Sequence, residues 1–370
     1  LILHITKYKD NFIIFISFLM QQNHFSGLAN LGNTCFLNSC LQVLNATYEL
    51  DILNSVDIIH DLPDTILLKE WRDIKKIMTE SPQGSVISPN RFVYMVQQVS
   101  EQKNKLLFTG WSQNDFCEFL LLWMECIHNS ISRKLRIKIN GNPENKKDEM
   151  AIQCYKCLQN IYAKDYSEMY DLFYGMYMTT IYDKDKNAAL SMKPEHFFIL
   201  DMQLFKMEEN QAFTNAALFH DIYQLFDNYI EMEFMHGENA WYNEKTGNKE
   251  DIYKTTTFWS LPKILVICLK RFSTDGKRKL QHPIHFPLEN LNLSKYVKGY
   301  QSKKYVYNLY GVCNHFGGVQ GGHYTAFVKH GANNWLHYND NSVEQIDESR
   351  IVSPSAYCLF YRKNDSMQDI

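Results

Sequence analysis

Near residue 174 the chain changes its hydrophobic period. Upstream, apolar residues recur every three to four positions: Phe36, Leu37, Cys40, Leu41 and Leu44 in one stretch, and Phe116, Phe119, Leu120, Trp123, Met124 and Ile127 in another. That spacing lines one face of a helix. Downstream, starting at YGMYMTTIY (174–182), the pattern alternates and fills with Tyr and Thr, as half-buried strands do. Helices are expected over 35–46, 113–131 and 154–173. Ser112 and Asp115 have capping-box spacing at the start of the second, and 141–149 reads as a polar loop. Strands are expected at 174–182, 195–204, 230–235, 254–260, 263–272 and 305–316, with a helix at 215–230. A hairpin of 323–330 and 334–339 turns at 331–333. The chain is thus an α+β protein, helical first and mainly antiparallel sheet after.

Composition narrows the class. The 370 residues suit one large or two to three joined subdomains. A net charge of -3 gives no field for nucleic acid or an acidic membrane. Nine cysteines, an odd number without a compact framework, point to a reducing compartment, cytoplasmic or nuclear. Phe12 to Met20 is apolar but too short to span a bilayer. No A-x-A-like cleavage site follows it, so it is expected to be a buried strand or helix. The chain opens on Leu rather than Met, as a fragment would.

The stretch GLANLGNTCFLNSCLQVL (27–44) carries the chemistry. Cys35 falls in the first turn of the expected helix, capped by Asn33 or Thr34. The positive end of the helix dipole favours a thiolate there. Free N–H groups at that end can also bind an oxyanion, and Asn30 lies close enough to add a side-chain donor. From this stretch alone, a nucleophile and a small buried cysteine are equally supported. A thiolate needs a base, and the base an orienter. His323 follows Gly321-Gly322, which leave the backbone open to close approach. Across the hairpin, Asn339 falls opposite residues 324–326, so Asn339 or Asp340 can hold the imidazole.

Together these segments resemble the ubiquitin-specific proteases, papain-like cysteine peptidases. The cysteine box matches almost throughout, with Phe36 and Leu37 replacing Tyr and Met. QNDFCEF (113–119), LPKILVICLKRF (261–272), YGVCNHFGGVQGGHYTAFVK (310–329) and NNWLHYNDNSV (333–343) follow in the family's order. The resemblance implies a papain-like fold, with a helical thumb over about 27–173, β fingers over about 174–260 and an antiparallel palm over about 261–365. Residues 1–26 form an extension before the 27–365 catalytic domain. It implies Cys35 as nucleophile, His323 as general base, Asn339 as third member with Asp340 sharing or supporting that role, and Asn30 at the oxyanion. It implies that Asp115 meets the arginine of the ubiquitin tail, and that Gln113, Gly322 and Tyr324 bind substrate. Trp111 and Phe316 either border the tail channel or, the favoured reading, simply pack.

The implied reaction is hydrolysis after the C-terminal glycine of ubiquitin through a thioester. The partners are ubiquitin, ubiquitinated proteins and activating proteins, without nucleic acid or a membrane span. Rival expectations are a protease for SUMO or NEDD8 and a non-catalytic ubiquitin-binding scaffold.

Many members hold a zinc at the fingertips with two C-x-x-C pairs. Here the only such pair is Cys154–Cys157, upstream of that place. By the resemblance, the family's cysteine positions align roughly with Asp183 and Lys186, and with Asn243 and Thr246. These cannot make a thiolate site, so neither metal nor other cofactor is expected.

Overall fold

The computed structural model describes residues 2–4, 25–60, 62–105, 107–108, 112–206, 217–273, 278–318, 321–331 and 334–364. The apolar stretch 12–20 and Trp111 lie outside the described residues. The helical region holds α1 (Cys35–Asn45), α2 (Asp64–Glu80), α3 (Asn90–Gln102), α4 (Phe116–Ile131), α5 (Lys146–Tyr162) and α6 (Glu168–Phe173). Helices α2 and α3 were not among the expected elements. Trp71 on α2 meets Trp123 on α4 edge-to-face at 5.3 Å, and both rings are fully buried.

Two expected helices changed at their ends, for local reasons. Helix α4 begins at Phe116, because Asp115 caps it: one carboxylate oxygen accepts the N–H groups of Cys117 (2.8 Å) and Glu118 (3.1 Å). Ser112 takes no part in this cap. The expected helix over 154–173 is two. Asn145 starts α5 inside the supposed polar loop by accepting the Asp148 N–H at 3.0 Å. Ser167 restarts the chain as α6 by accepting the Met169 N–H at 3.3 Å.

Strands dominate afterwards. In chain order they are β1 (Gly175–Asp183), β2 (Ala189–Phe197), β3 (Ile199–Gln203), β4 (Glu233–Met235), the hairpin β5 (Trp241–Asn243) and β6 (Asn248–Glu250), β7 (Ile252–Ser260), β8 (Ile264–Lys270), β9 (Leu291–Asn292), β10 (Val306–Gly318), β11 (Gly321–His330), β12 (Asn334–Asn339), β13 (Ser342–Ile346) and β14 (Ala356–Lys363). Helix α7 (Ile222–Tyr229) lies between β3 and β4 and is shorter than the helix expected there. Strands β4-β7-β1-β2 form one sheet. The order β13-β12-β11-β10-β14-β8-β3 forms the larger one, with β9 paired to β10. The expected strand at 195–204 is therefore two strands in two sheets, changing over at Phe198. Strand β3, within the segment expected to form the fingers, joins the large sheet parallel to β8.

Strand β8 is covered on both faces, so its residues Ile264 to Leu269 are all buried. Ile264, Val266 and Cys268 face the core shared with α1 and α4. Leu265, Ile267 and Leu269 face a second core that includes α7. Helix α1 packs across β10, β11 and β12. That contact brings the start of α1 to the strands carrying His323 and Asn339. No described helix is long and apolar enough to cross a membrane.

Candidate active site

The cysteine box answers for its asparagines one at a time. Gly32 (φ 101°) and Asn33 (φ 56°) take left-handed conformations, which bend the chain into α1. The side-chain oxygen Oδ1 of Asn30 accepts the N–H groups of Gly32 (3.0 Å) and Thr34 (3.1 Å) and fixes the bend. Thr34 is the N-cap residue, yet its side chain makes no cap bond to the helix; its hydroxyl accepts the Leu31 N–H at 3.0 Å. The expected side-chain cap by Thr34 is thus not made. Asn38, 2% exposed, donates its amide to the carbonyls of Leu28 (3.3 Å) and Ala29 (3.2 Å) and to Asp340 Oδ1 (2.8 Å).

Asn339 and Asp340 divide the work expected of either. The hairpin register sets Ala326 opposite Tyr338, which places Asn339 two residues along from His323. His323 Nε2 lies 2.6 Å from Asn339 Oδ1. An amide oxygen only accepts, so Nε2 carries the proton and Nδ1 of the neutral ring is the free base. Asp340 turns the other way, at φ 49°. Its Oδ2 accepts the Asn30 amide at 2.9 Å, its Oδ1 accepts Asn38, and its backbone carbonyl accepts the Leu28 N–H at 2.8 Å. Gly27 makes this docking feasible, since a Cβ there would lie 2.3 Å from the Asn341 carbonyl oxygen.

Cys35 is buried at the first position of α1, 4% exposed. Burial pushes its thiol up from the ordinary range, and the Asp340 charge adds to that. The backbone N–H groups of Tyr324, Phe36 and Cys35 itself act in the opposite direction. Desolvation thus opposes the thiolate that the helix start was expected to favour. The sulfur rests against the N–H of Tyr324, the residue after His323.

Beside this pair, Asp115 anchors a tight cluster. Its Oδ1 holds the two N–H groups of the cap, while its Oδ2 accepts the hydroxyls of Tyr324 (3.0 Å) and Tyr357 (2.6 Å). All four lone-pair directions of the carboxylate are used. A tail arginine can reach it only if a tyrosine hydroxyl yields. Tyr324, expected to line the channel, is 7% exposed. Gln113 Oε1 accepts the Gly322 N–H at 2.6 Å, a bond within the protein at an expected substrate position. Phe316 is 44% exposed and sits opposite His323 in the β10–β11 register, so it is a rim residue and not the packing residue the sequence favoured.

His315, Lys279, Phe272 and Tyr357 were missed by sequence reasoning. The His315 ring packs 4.7 Å from Tyr324, 5.6 Å from Phe272 and 5.9 Å from Tyr357. Burial first, then the Lys279 charge, lowers its pKa to about 4, so it stays neutral. Lys279 donates to the His315 carbonyl at 2.5 Å, and burial with neighbouring Arg271 lowers it to about 8. A Cβ on Gly322 would lie 2.2 Å from His315 Nε2 and 2.3 Å from the Phe316 carbonyl oxygen. The second glycine of Gly-Gly-His thus makes room for this histidine. The signal was a register relation between β10 and β11, which no single stretch displays.

The fold thus packs α1, which begins at Cys35, against the strand that carries His323 and its Asn339 partner, with Asn30 tied to Asp340 at the bend before the helix. A family profile described as Ubiquitin carboxyl-terminal hydrolase matches residues 26–361. The chain belongs to the ubiquitin carboxyl-terminal hydrolase family. It is 31% identical over 350 residues to ubiquitin carboxyl-terminal hydrolase 2 of Homo sapiens, covering 91% of this chain and 54% of that protein. With ubiquitin carboxyl-terminal hydrolase 21 of Homo sapiens it shares 30% identity over 381 residues, covering 96% and 64%. The chain therefore spans about half to two thirds of the length of these hydrolases. Among solved structures, the fold is similar to the SAGA Ubp8/Sgf11/Sus1/Sgf73 DUB module bound to ubiquitin aldehyde. The TM-score is 0.65 at 22% identity, covering 94% of this chain and 71% of that one. The same module bound to monoubiquitin gives a TM-score of 0.66 at 22% identity, covering 93% and 70%. These likenesses carry the papain-like fold expected from the sequence.

Proposed function

We propose that this chain hydrolyses the bond after the C-terminal glycine of ubiquitin, isopeptide or peptide, with Cys35 as nucleophile. The observation that carries the reading is the His323 Nε2–Asn339 Oδ1 bond at 2.6 Å, because it leaves Nδ1 as the base on the residue beside the Cys35 sulfur. His323 Nδ1 takes the Cys35 proton as the sulfur adds to the glycine carbonyl. The developing oxyanion is received by the Cys35 N–H and by the Asn30 amide, one of whose hydrogens is held by Asp340 and the other left for substrate. The imidazolium then protonates the departing lysine amine, leaving a thioester. Water, deprotonated by the same ring, releases the ubiquitin carboxylate and the thiol.

Asn339 is the orienter in this scheme, and Asp340 positions the oxyanion group and the bend before Cys35. Asp115, Gln113, Gly322 and Tyr324 form the tail-binding wall once the tyrosine hydroxyls release Asp115. Ubiquitin and ubiquitinated proteins are the required partners, with activating proteins as candidates for opening that wall. The nine free thiols suit a reducing cytoplasmic or nuclear setting.

The test is side-by-side labelling with ubiquitin, SUMO and NEDD8 activity probes, together with turnover of a fluorogenic ubiquitin substrate. Covalent capture of ubiquitin alone, with turnover, supports the proposal. Preferential capture of SUMO or NEDD8 reassigns the modifier. Ubiquitin binding without labelling identifies a scaffold.

A further inference from the structure

The four positions expected to hold the family's zinc cysteines lie in two loops, the β1–β2 turn and the β5–β6 hairpin. In the β1–β7 register, Asp183 lies opposite Ile252, two residues beyond the end of the β5–β6 hairpin at Glu250. The β1–β2 turn and that hairpin are therefore neighbours, as a metal joining two pairs would require.

None of the four side chains fits a metal. The Asp183 carboxylate faces its own turn and accepts the N–H groups of Asn187 (2.8 Å) and Ala188 (3.1 Å). Lys186 brings a cation where a ligand would stand. Its ammonium sits 4.0 Å from the centre of the Tyr253 ring on β7. Asn243 is 8% exposed and donates to both carboxylate oxygens of Glu250, at 3.0 and 3.1 Å, while Thr246 donates to the same group at 2.6 Å. Among the described residues no group of three or more His, Cys, Asp or Glu side chains could hold a metal ion. The Cys154–Cys157 pair is spent elsewhere: Cys154 is buried against Met176, Met178 and Trp259, and the Cys157 thiol donates to the Pro194 carbonyl at 3.7 Å.

We infer that this end of the four-stranded sheet is held by a metal-free clasp built on the residues at the four expected ligand positions. The Asn243–Glu250–Thr246 network closes the β5–β6 hairpin, and Asp183 closes the β1–β2 turn. Lys186, laid on Tyr253, joins that turn to β7. The stack continues through Phe234, 4.8 Å from Tyr253, to His236, 4.9 Å from Phe234, and so reaches β4. A zinc at such a place links two loops through thiolates. Here hydrogen bonds to carboxylates close each loop on itself, and a cation–π contact ties the β1–β2 turn to β7.

The experiment uses the full chain produced in zinc-supplemented medium. Zinc per chain is measured by mass spectrometry, and melting temperature is read with and without EDTA for the wild type, Asn243→Ala and Lys186→Ala. The clasp predicts zinc far below one per chain and no EDTA effect, with both variants melting lower by roughly 1–3 °C. About one zinc per chain, or an EDTA-induced fall in melting temperature, would overturn it. So would two variants that melt with the wild type. Should Asn243→Ala fail to fold, Thr246→Val, which removes one bond only, supplies the graded reading. None of these measurements involves ubiquitin, so their failure is separate from failure of the proposed activity.

Discussion

The Cys35 site and the distal end of the four-stranded sheet are both places where the family resemblance leads one to expect cysteine, and this chain treats them in opposite ways. At the first, Cys35, His323, Asn339 and Asn30 keep the residue types of the family. At the distal end all four cysteine positions hold other residues, and Asn243, Thr246 and Glu250 are now hydrogen-bonded to one another. The difference lies in what each place must do. Attack on a carbonyl depends on the nucleophilicity of one sulfur and the basicity of one nitrogen, and no hydrogen bond substitutes for either. Joining two turns is a matter of connectivity, which several kinds of contact can supply.

Replacing the sulfur should break the Cys35 side of this comparison hardest. Cys35→Ala is expected to lower kcat on a ubiquitin substrate by about 10⁴-fold or more, with ubiquitin affinity, measured by calorimetry, largely kept. His323→Ala should come close to that loss.

Gly322→Ala is expected next. Its Cβ would meet the Phe316 carbonyl and the His315 ring, and it would displace the strand that carries His323. A shift of about 1 Å in a catalytic group can cost on the order of 10²-fold. Unchanged kcat would show that the β10–β11 packing does not position the base.

The Asn339 and Asp340 variants sharpen the division between neighbours. Each is expected to lower kcat by roughly 10²-fold, by different routes. Asn339→Ala releases the imidazole, and Asp340 cannot replace it while it holds Asn30 and Asn38. Asp340→Asn removes a negative charge that raises the Cys35 pKa. Its rate of alkylation by iodoacetamide should therefore begin to rise at lower pH than in the wild type, while Asn339→Ala should leave that onset in place. Coincident profiles for the wild type and Asp340→Asn would contradict this assignment of charge.

At the distal end, Glu250→Gln should have the smallest effect, a fall in melting temperature of about 1–2 °C with kcat unchanged. A loss of kcat comparable to the Cys35-site variants would erase the contrast between the two regions.

Much of this was legible in order and type rather than in boundary. Repeating apolar positions placed α1 and α4, because each buries one broad face. The hairpin register followed from its turn and brought Asn339 near His323. The start of α4 moved because a carboxylate at Asp115 satisfies two N–H groups where Ser112 satisfies none. One apolar run, 195–204, became two strands, since a residue run does not reveal which sheet each half pairs with. The desolvation of Cys35 was hidden for a similar reason: a helix start is visible in sequence, but the burial that opposes a thiolate comes from distant segments packed over the sulfur. His315 and Lys279 stayed hidden because they act on β11 from other parts of the chain.

The most direct test is covalent capture by ubiquitin carrying a C-terminal electrophile, followed by peptide mass spectrometry across all nine cysteines. The account predicts one adduct, on the sulfur of Cys35, and greatly slowed capture in His323→Ala. An adduct on another cysteine, or undiminished capture without His323, would contradict it.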